Sequence, residues 1–104
     1  MYAKQLWHVF SPTRFNYINL AMNTLKDFQS ASFERKCDWV TANSTFVAMR
    51  KMGESKVYLY HAADYFIEVY YSPVYKKILM INAFNSHSGL EPYVEEISLA
   101  DLKL

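Results

Sequence analysis

Residues 56–84 read KVYLYHAADYFIEVYYSPVYKKILMINAF, with Tyr, Phe, Val or Ile at nearly every alternate position and breaks only at two short turns. Alternation of this kind specifies antiparallel strands, because successive side chains on a strand point to opposite faces. Here both faces come out apolar, so each needs a cover. Three strands are predicted at 56–61, 65–71 and 77–84, separated by Ala62-Ala63-Asp64 and by Ser72-Pro73-Val74-Tyr75, both short enough for hairpins.

Working outward toward the N-terminus, residues 45–49 (TFVAM) have the β-branched and aromatic content of a further strand, and Gly53 supplies the turn after it. Together the four strands form a meander. Residues 33–43 place Phe33, Cys37 and Val40 on one helical side. Ser11-Pro12 reads as a helix start, since Ser can accept from an orphan N–H and Pro at the first position loses no hydrogen bond. A helix is predicted from there to about Phe28, with Phe15, Ile18, Met22, Leu25 and Phe28 as its apolar stripe. Residues 4–10 (KQLWHVF) are too short for periodicity to decide between an edge strand and a lead-in packed on the core. Beyond the turn NSHSG at 85–89, residues 90–104 read as a short helical or irregular segment whose Leu90, Val94, Ile97, Leu99 and Leu102 can cap the core.

Residues 1–104 therefore read as a single α+β domain: two N-terminal helices packed on one face of a four-stranded antiparallel meander, with a short C-terminal capping segment. The size agrees, because a chain of 104 residues affords one core. Only two Gly and three Pro, with apolar residues at 52%, exclude a linker or a disordered segment. A net charge of +1 lacks the strong positive field of a nucleic-acid binder, so no nucleic-acid partner is expected. Single Cys37 excludes an internal disulfide and suits a reducing compartment, which makes the cytoplasm the expected location. The first ten residues lack the long apolar core of a signal peptide. No apolar stretch reaches the roughly 18 residues of a membrane span, so no membrane partner is expected either.

Period two, carried along the strands, assigns Val57, Leu59, His61, Ile67 and Val69 to one face and Lys56, Tyr58, Tyr60, Phe66, Glu68 and Tyr70 to the other. The aliphatic set is the expected core, under the helices. Tyr58, Tyr60, Phe66, Glu68 and Tyr70 are then a candidate contact surface, because Tyr combines large apolar area with a polar tip. Such a face fits a homodimer or another protein partner; the alternative is that the C-terminal segment folds over it as a second small core. In the strand 77–84, Leu79, Ile81 and Ala83 oppose Ile78, Met80, Asn82 and Phe84, and period alone leaves open which set points inward.

Catalytic and metal signals are sparse. Glu68 among aromatic neighbours is a candidate acid or base, but it needs a polar partner, and Lys56 or Arg50 from a neighbouring strand makes it more simply half of a structural ion pair. His8, His61 and His87 show no ligand spacing, so no metal and no cofactor are expected. His87 reads as a solvated turn residue. Cys37 on an apolar stripe reads as a small buried hydrophobe, and the pairs Arg35-Lys36 and Arg50-Lys51 as solvated faces.

Four pieces of the chain, Leu59-Tyr60, 66–71, 78–84 and 90–102, together resemble a family of short bacterial proteins of unknown function. That family's pattern reads LY, FFVEVWY, I-x-x-I-x-x-F and LEPYLDxIDLxxL. Tyr70 stands where the pattern has Trp, and Ser98 where it has Asp. The resemblance implies no activity, cofactor or catalytic residue. It does mark Leu90-Glu91-Pro92-Tyr93 as a terminator, with Pro92 presetting a turn or helix start and Leu90 and Tyr93 able to dock on the sheet.

These readings point to a non-enzymatic binding module acting through the aromatic sheet face. Two alternatives stand beside it. A small ribonuclease-like toxin shares the order of helices and meander, and would depend on Arg50 and His61, though fold analogy is thin support. A small-molecule binder would show a deep cavity between helices and sheet containing Glu68 or a His.

Overall fold

The computed structural model describes residues 21–95, and the architecture is α+β. Helices α1 (Leu25–Gln29) and α2 (Phe33–Asn43) precede β1 (Thr45–Met52), β2 (Ser55–Ala62), β3 (Tyr65–Ser72) and β4 (Lys77–Phe84), and a 3-10 helix (His87–Tyr93) follows. The strands pair in chain order, all antiparallel.

Helix α1 is shorter than its periodicity predicts. Thr24 is extended, and its hydroxyl accepts from the Asp27 N–H at 3.1 Å, so the helix begins there and does not continue back through Ala21–Asn23. The earlier part of the expected helix, the segment 4–10 and residues 96–104 lie outside the described residues. Helix α2 matches its prediction: Ser32 caps it by accepting from the Arg35 N–H, and Cys37 and Val40 are buried.

Two residues suffice for each of the first two hairpins. Gly53 has φ +62° at the first central position, a conformation that costs Gly nothing. Ala63 takes φ +51° at the equivalent place in the next turn, where a Cβ is strained. The β3–β4 loop is longer, and Ser72 Oγ accepts from the Tyr75 N–H at 3.1 Å within it.

Register divides the side chains between two cores. Residues directly opposite on antiparallel strands share a face. Tyr58 lies opposite Val69 and Tyr60 opposite Ile67, whereas Leu59 lies opposite Glu68 and His61 opposite Phe66. The two-residue turn thus exchanges odd for even positions, and the face assignment read from period two is half reversed. Tyr58, Tyr60, Tyr65, Ile67 and Val69 form the face under the helices, packed with Phe28, Cys37, Trp39 and Val40. Val57, Leu59 and His61 lie on the opposite, outer face with Phe66, Glu68 and Tyr70.

The open question of β4 is settled by the same ladder. Ile81 and Ala83 lie opposite Val69 and Ile67 on the helix side, and Asn82 and Phe84 lie opposite Glu68 and Phe66 on the outer side. A bulge then shifts the register so that Tyr71 faces Ile78, which brings Ile78 to the helix side as well.

The 3-10 helix covers part of the outer face. Leu90 and Tyr93 are fully buried against Ala48, Leu59 and Phe66, while Val94 is 53% exposed and caps nothing. Gly89 permits this approach, because a Cβ there would overlap the Phe84 ring. The expectation that Leu90 and Tyr93 dock on the sheet is met.

Candidate functional site

At the centre of the outer face sits Glu68, 5% exposed on the middle of β3. Strand β1 contributes Arg50, β3 also Tyr70, β4 Asn82, and the 3-10 helix Tyr93. Glu68 Oε2 accepts from Tyr93 Oη at 2.6 Å and from an Arg50 guanidinium nitrogen at 3.4 Å. Oε1 accepts from Asn82 Nδ2 at 3.0 Å and from Tyr70 Oη at 3.4 Å. The Arg50 guanidinium also lies 5.3 Å from the centre of the Tyr93 ring, within cation–π range.

Each part of this cluster follows from the ladder. Leu59, Glu68 and Asn82 form one row across β2, β3 and β4, so Asn82 reaches Glu68 from directly opposite. Arg50, Val57, Tyr70 and Met80 form the next row. Arg50 and Tyr70 therefore approach the carboxylate from one side along the strands, and Tyr93 approaches from above.

The electrostatics favour protonated tyrosines around a charged pair. Burial, and then the hydrogen bond to Glu68, pushes the Tyr93 phenol well above its usual range. Burial and then the Glu68 charge move Tyr70 in the same direction. Both phenols thus stay protonated and donate. A carboxylate offers about four acceptor sites, and here four donors occupy them. Such a group holds elements together. Glu68 itself is 5% exposed, with Tyr93 and Asn82 as its two nearest donors.

The predicted site residues are divided by the fold. Tyr58 and Tyr60 lie beneath the helices, 0% and 4% exposed. Phe66 is buried under the 3-10 helix in a stacked run, with His61 at 4.7 Å on one side and Phe84 at 5.6 Å on the other. Of the five, Tyr70 alone keeps partial exposure. Arg50, not Lys56, is the ion-pair partner of Glu68. Asn82 and Tyr93 carry no sequence signal as ligands of Glu68, beyond the docking expected of Leu90-Glu91-Pro92-Tyr93.

His61 and Arg50 are not brought together. Arg50 faces Val57, four positions along β2 from His61, a separation of about 13 Å at strand rise. His87 is exposed in its turn. A cavity of about 300 Å³ lies beside α1 and the start of α2, lined by Ala21, Met22, Asp27, Ser30, Ala31 and Arg35. It includes neither Glu68 nor a His. Among the described residues no three His, Cys, Asp or Glu gather as a metal-binding group, and no helix is long and apolar enough to cross a membrane.

Comparisons with protein-family models, curated proteins and solved structures find no match to this chain.

Proposed function

We propose that this chain is a non-enzymatic binding module that self-associates through the part of the outer sheet face left open beside Tyr70. The carrying observation is Met80. It stands directly opposite Tyr70, on an edge strand, with half of its surface in water. Leu79, beside it at the bulge, is 49% exposed, and Met52, toward the far edge of the same face, is 48% exposed. Adjacent exposed apolar groups such as Leu79 and Met80 suit a contact surface where they form one patch, and methionine adapts to irregular surfaces.

The saturated Glu68 cluster supports the same reading from the other side, since it occupies the one buried acid of the face with structural work. A cytoplasmic setting belongs to this reading, supported by the single buried Cys37. The surface is smaller than the aromatic face expected from sequence, because helices and the 3-10 segment already cover Tyr58, Tyr60, Phe66 and Glu68.

Sedimentation equilibrium tests it. The expected mass is above that of one chain, and Met80→Asp and Leu79→Asp shift it to that of one chain without loss of fold by circular dichroism. A monomer at every concentration overturns the reading. Tyr58→Asp is not a probe of the interface, because at 0% exposure it would break the core.

A further inference from the structure

The two hairpin tips at one end of the sheet share a composition that the fold does not explain. Residues 51–56 read KMGESK and residues 72–77 read SPVYKK, so the pair carries four lysines against a single acid, Glu54. Each tip also carries exposed apolar groups: Met52 at 48% on the first, Val74 at 60% and Tyr75 at 72% on the second. With strands in the order β1-β2-β3-β4, the tips lie side by side, about 10 Å apart at strand spacing.

Packing supplies no reason for this arrangement. Lys51 and Lys56 lie directly opposite one another across β1 and β2, on one face. Like charges so placed are destabilising. Lys76 holds φ +55°, a conformation that a residue with a Cβ adopts at a cost. The second tip is nevertheless well formed, with Tyr75 N–H donating to Ser72 Oγ and Lys77 Nζ 6.0 Å from the Tyr75 ring centre.

We infer that the two tips form a peripheral docking edge for an anionic lipid surface, with Met52, Val74 and Tyr75 entering the interfacial zone and Lys51, Lys56, Lys76 and Lys77 engaging lipid phosphates. Convexity selects this occupant. Projecting apolar tips bury themselves in a surface that yields, whereas a folded acidic protein would need two hollows at matching spacing. Lysine stems can lie along apolar surface while their ammonium groups stay at headgroup level. Tyr is suited to the same zone, with an apolar ring and a polar end. The binding is attachment, not spanning, and of its residues Met52 alone also borders the Met80 surface.

Co-sedimentation of the full chain with vesicles tests the edge. Vesicles of phosphatidylcholine containing phosphatidylserine should carry the protein down at low salt, and pure phosphatidylcholine vesicles should not. Each of Lys51→Gln, Lys56→Gln, Lys76→Gln and Lys77→Gln should weaken binding about fivefold, the factor that corresponds to one lysine near an anionic surface. Tyr75→Ser should weaken it further with all lysines intact. Equal recovery with both vesicle types overturns the inference. So does binding to a soluble polyanion, duplex DNA or polyglutamate, that matches the anionic vesicles and ignores Tyr75→Ser, since that behaviour belongs to a polyanion site. All five tip substitutions are at exposed or half-exposed positions, so circular dichroism should show the fold retained.

Discussion

The Tyr93 hydroxyl donates to Glu68 Oε2 at 2.6 Å across 25 positions of sequence, and this one bond ties the 3-10 helix to the middle of the sheet. Its length is that of a charge-assisted O–H···O⁻ bond. Arg50, at 3.4 Å from the same oxygen, contributes charge more than geometry. Leu90 and Tyr93 supply the apolar contact, and Glu68 fixes where that contact forms.

Removing the hydroxyl should therefore cost more than an ordinary surface change. Tyr93→Phe keeps the ring against Leu59 and Phe66 but strips the shortest donor from a buried carboxylate, a loss of about 1–3 kcal/mol. Arg50→Met leaves the carboxylate without its counter-charge, about 3–5 kcal/mol. The double variant Arg50→Met with Glu68→Leu should recover much of that loss, because neither charge remains buried alone. Urea midpoints for the two single changes and the double change are the measurement. A double variant no more stable than Arg50→Met would show that the pair is not coupled.

Alkali should unfold the protein through its tyrosines. Burial, and then the nearby Tyr58, lifts Tyr60 well above its usual range. Tyr93 is lifted by burial and then Glu68, and Tyr65 and Tyr70 are raised too, first by burial. A group whose folded value lies above its unfolded one stabilises fully at pH below the unfolded value. That stability is lost as pH rises toward the folded value. For tyrosine the loss begins near the unfolded value of about 10. Urea midpoints should be insensitive to these groups at neutral pH and fall above that point, with tyrosinate absorbance appearing together with unfolding. Tyr93→Phe should make the fall shallower, and an unchanged slope would remove Tyr93 from the account.

How far the sequence disclosed this arrangement depends on what each signal measures. Periodicity found α2, the four strands and their order, because amphipathic period and turn chemistry are local properties. It missed the faces. The turn at Ala63-Asp64 pairs Ala62 with Tyr65, so opposite residues differ in parity, and counting by two along the chain put Tyr58 with Phe66 when Tyr58 belongs with Val69. The bulge opposite Tyr70 and Tyr71 hid the β4 register in the same way, since an extra residue leaves no trace in composition. Glu68 was visible as an acid among aromatics, and Arg50 as one possible partner. Asn82 and Tyr93 were not, because each reaches Glu68 through pairing or docking that only the three-dimensional register defines. Thr24 starts the helix later than the apolar stripe suggests, through a cap that in sequence looks like one more polar position.

Glycine is missing from one position that wants it and present at another that requires it, which gives a pair of substitutions with opposite signs. Ala63 holds φ +51° at a hairpin tip, where a Cβ costs about 1–2 kcal/mol. Glycine removes that strain but loses about 0.5–1 kcal/mol more chain entropy on folding. Ala63→Gly should thus raise stability by about 0.5 kcal/mol, or about 2–4 °C in Tm for a domain of this size. Gly89 is the reverse case. A methyl there meets the Phe84 ring, and Phe84 stacks on Phe66, so the ring cannot yield without opening the packing under the 3-10 helix. Gly89→Ala should cost about 1–3 kcal/mol as an overpacked site. Shortening the obstacle separates this from a backbone effect: Phe84→Leu alone should destabilise, but in the Gly89→Ala background it should cost less or restore stability. Thermal melts of the four proteins give the coupling, and additive losses would mean that Phe84 is not what Gly89 accommodates.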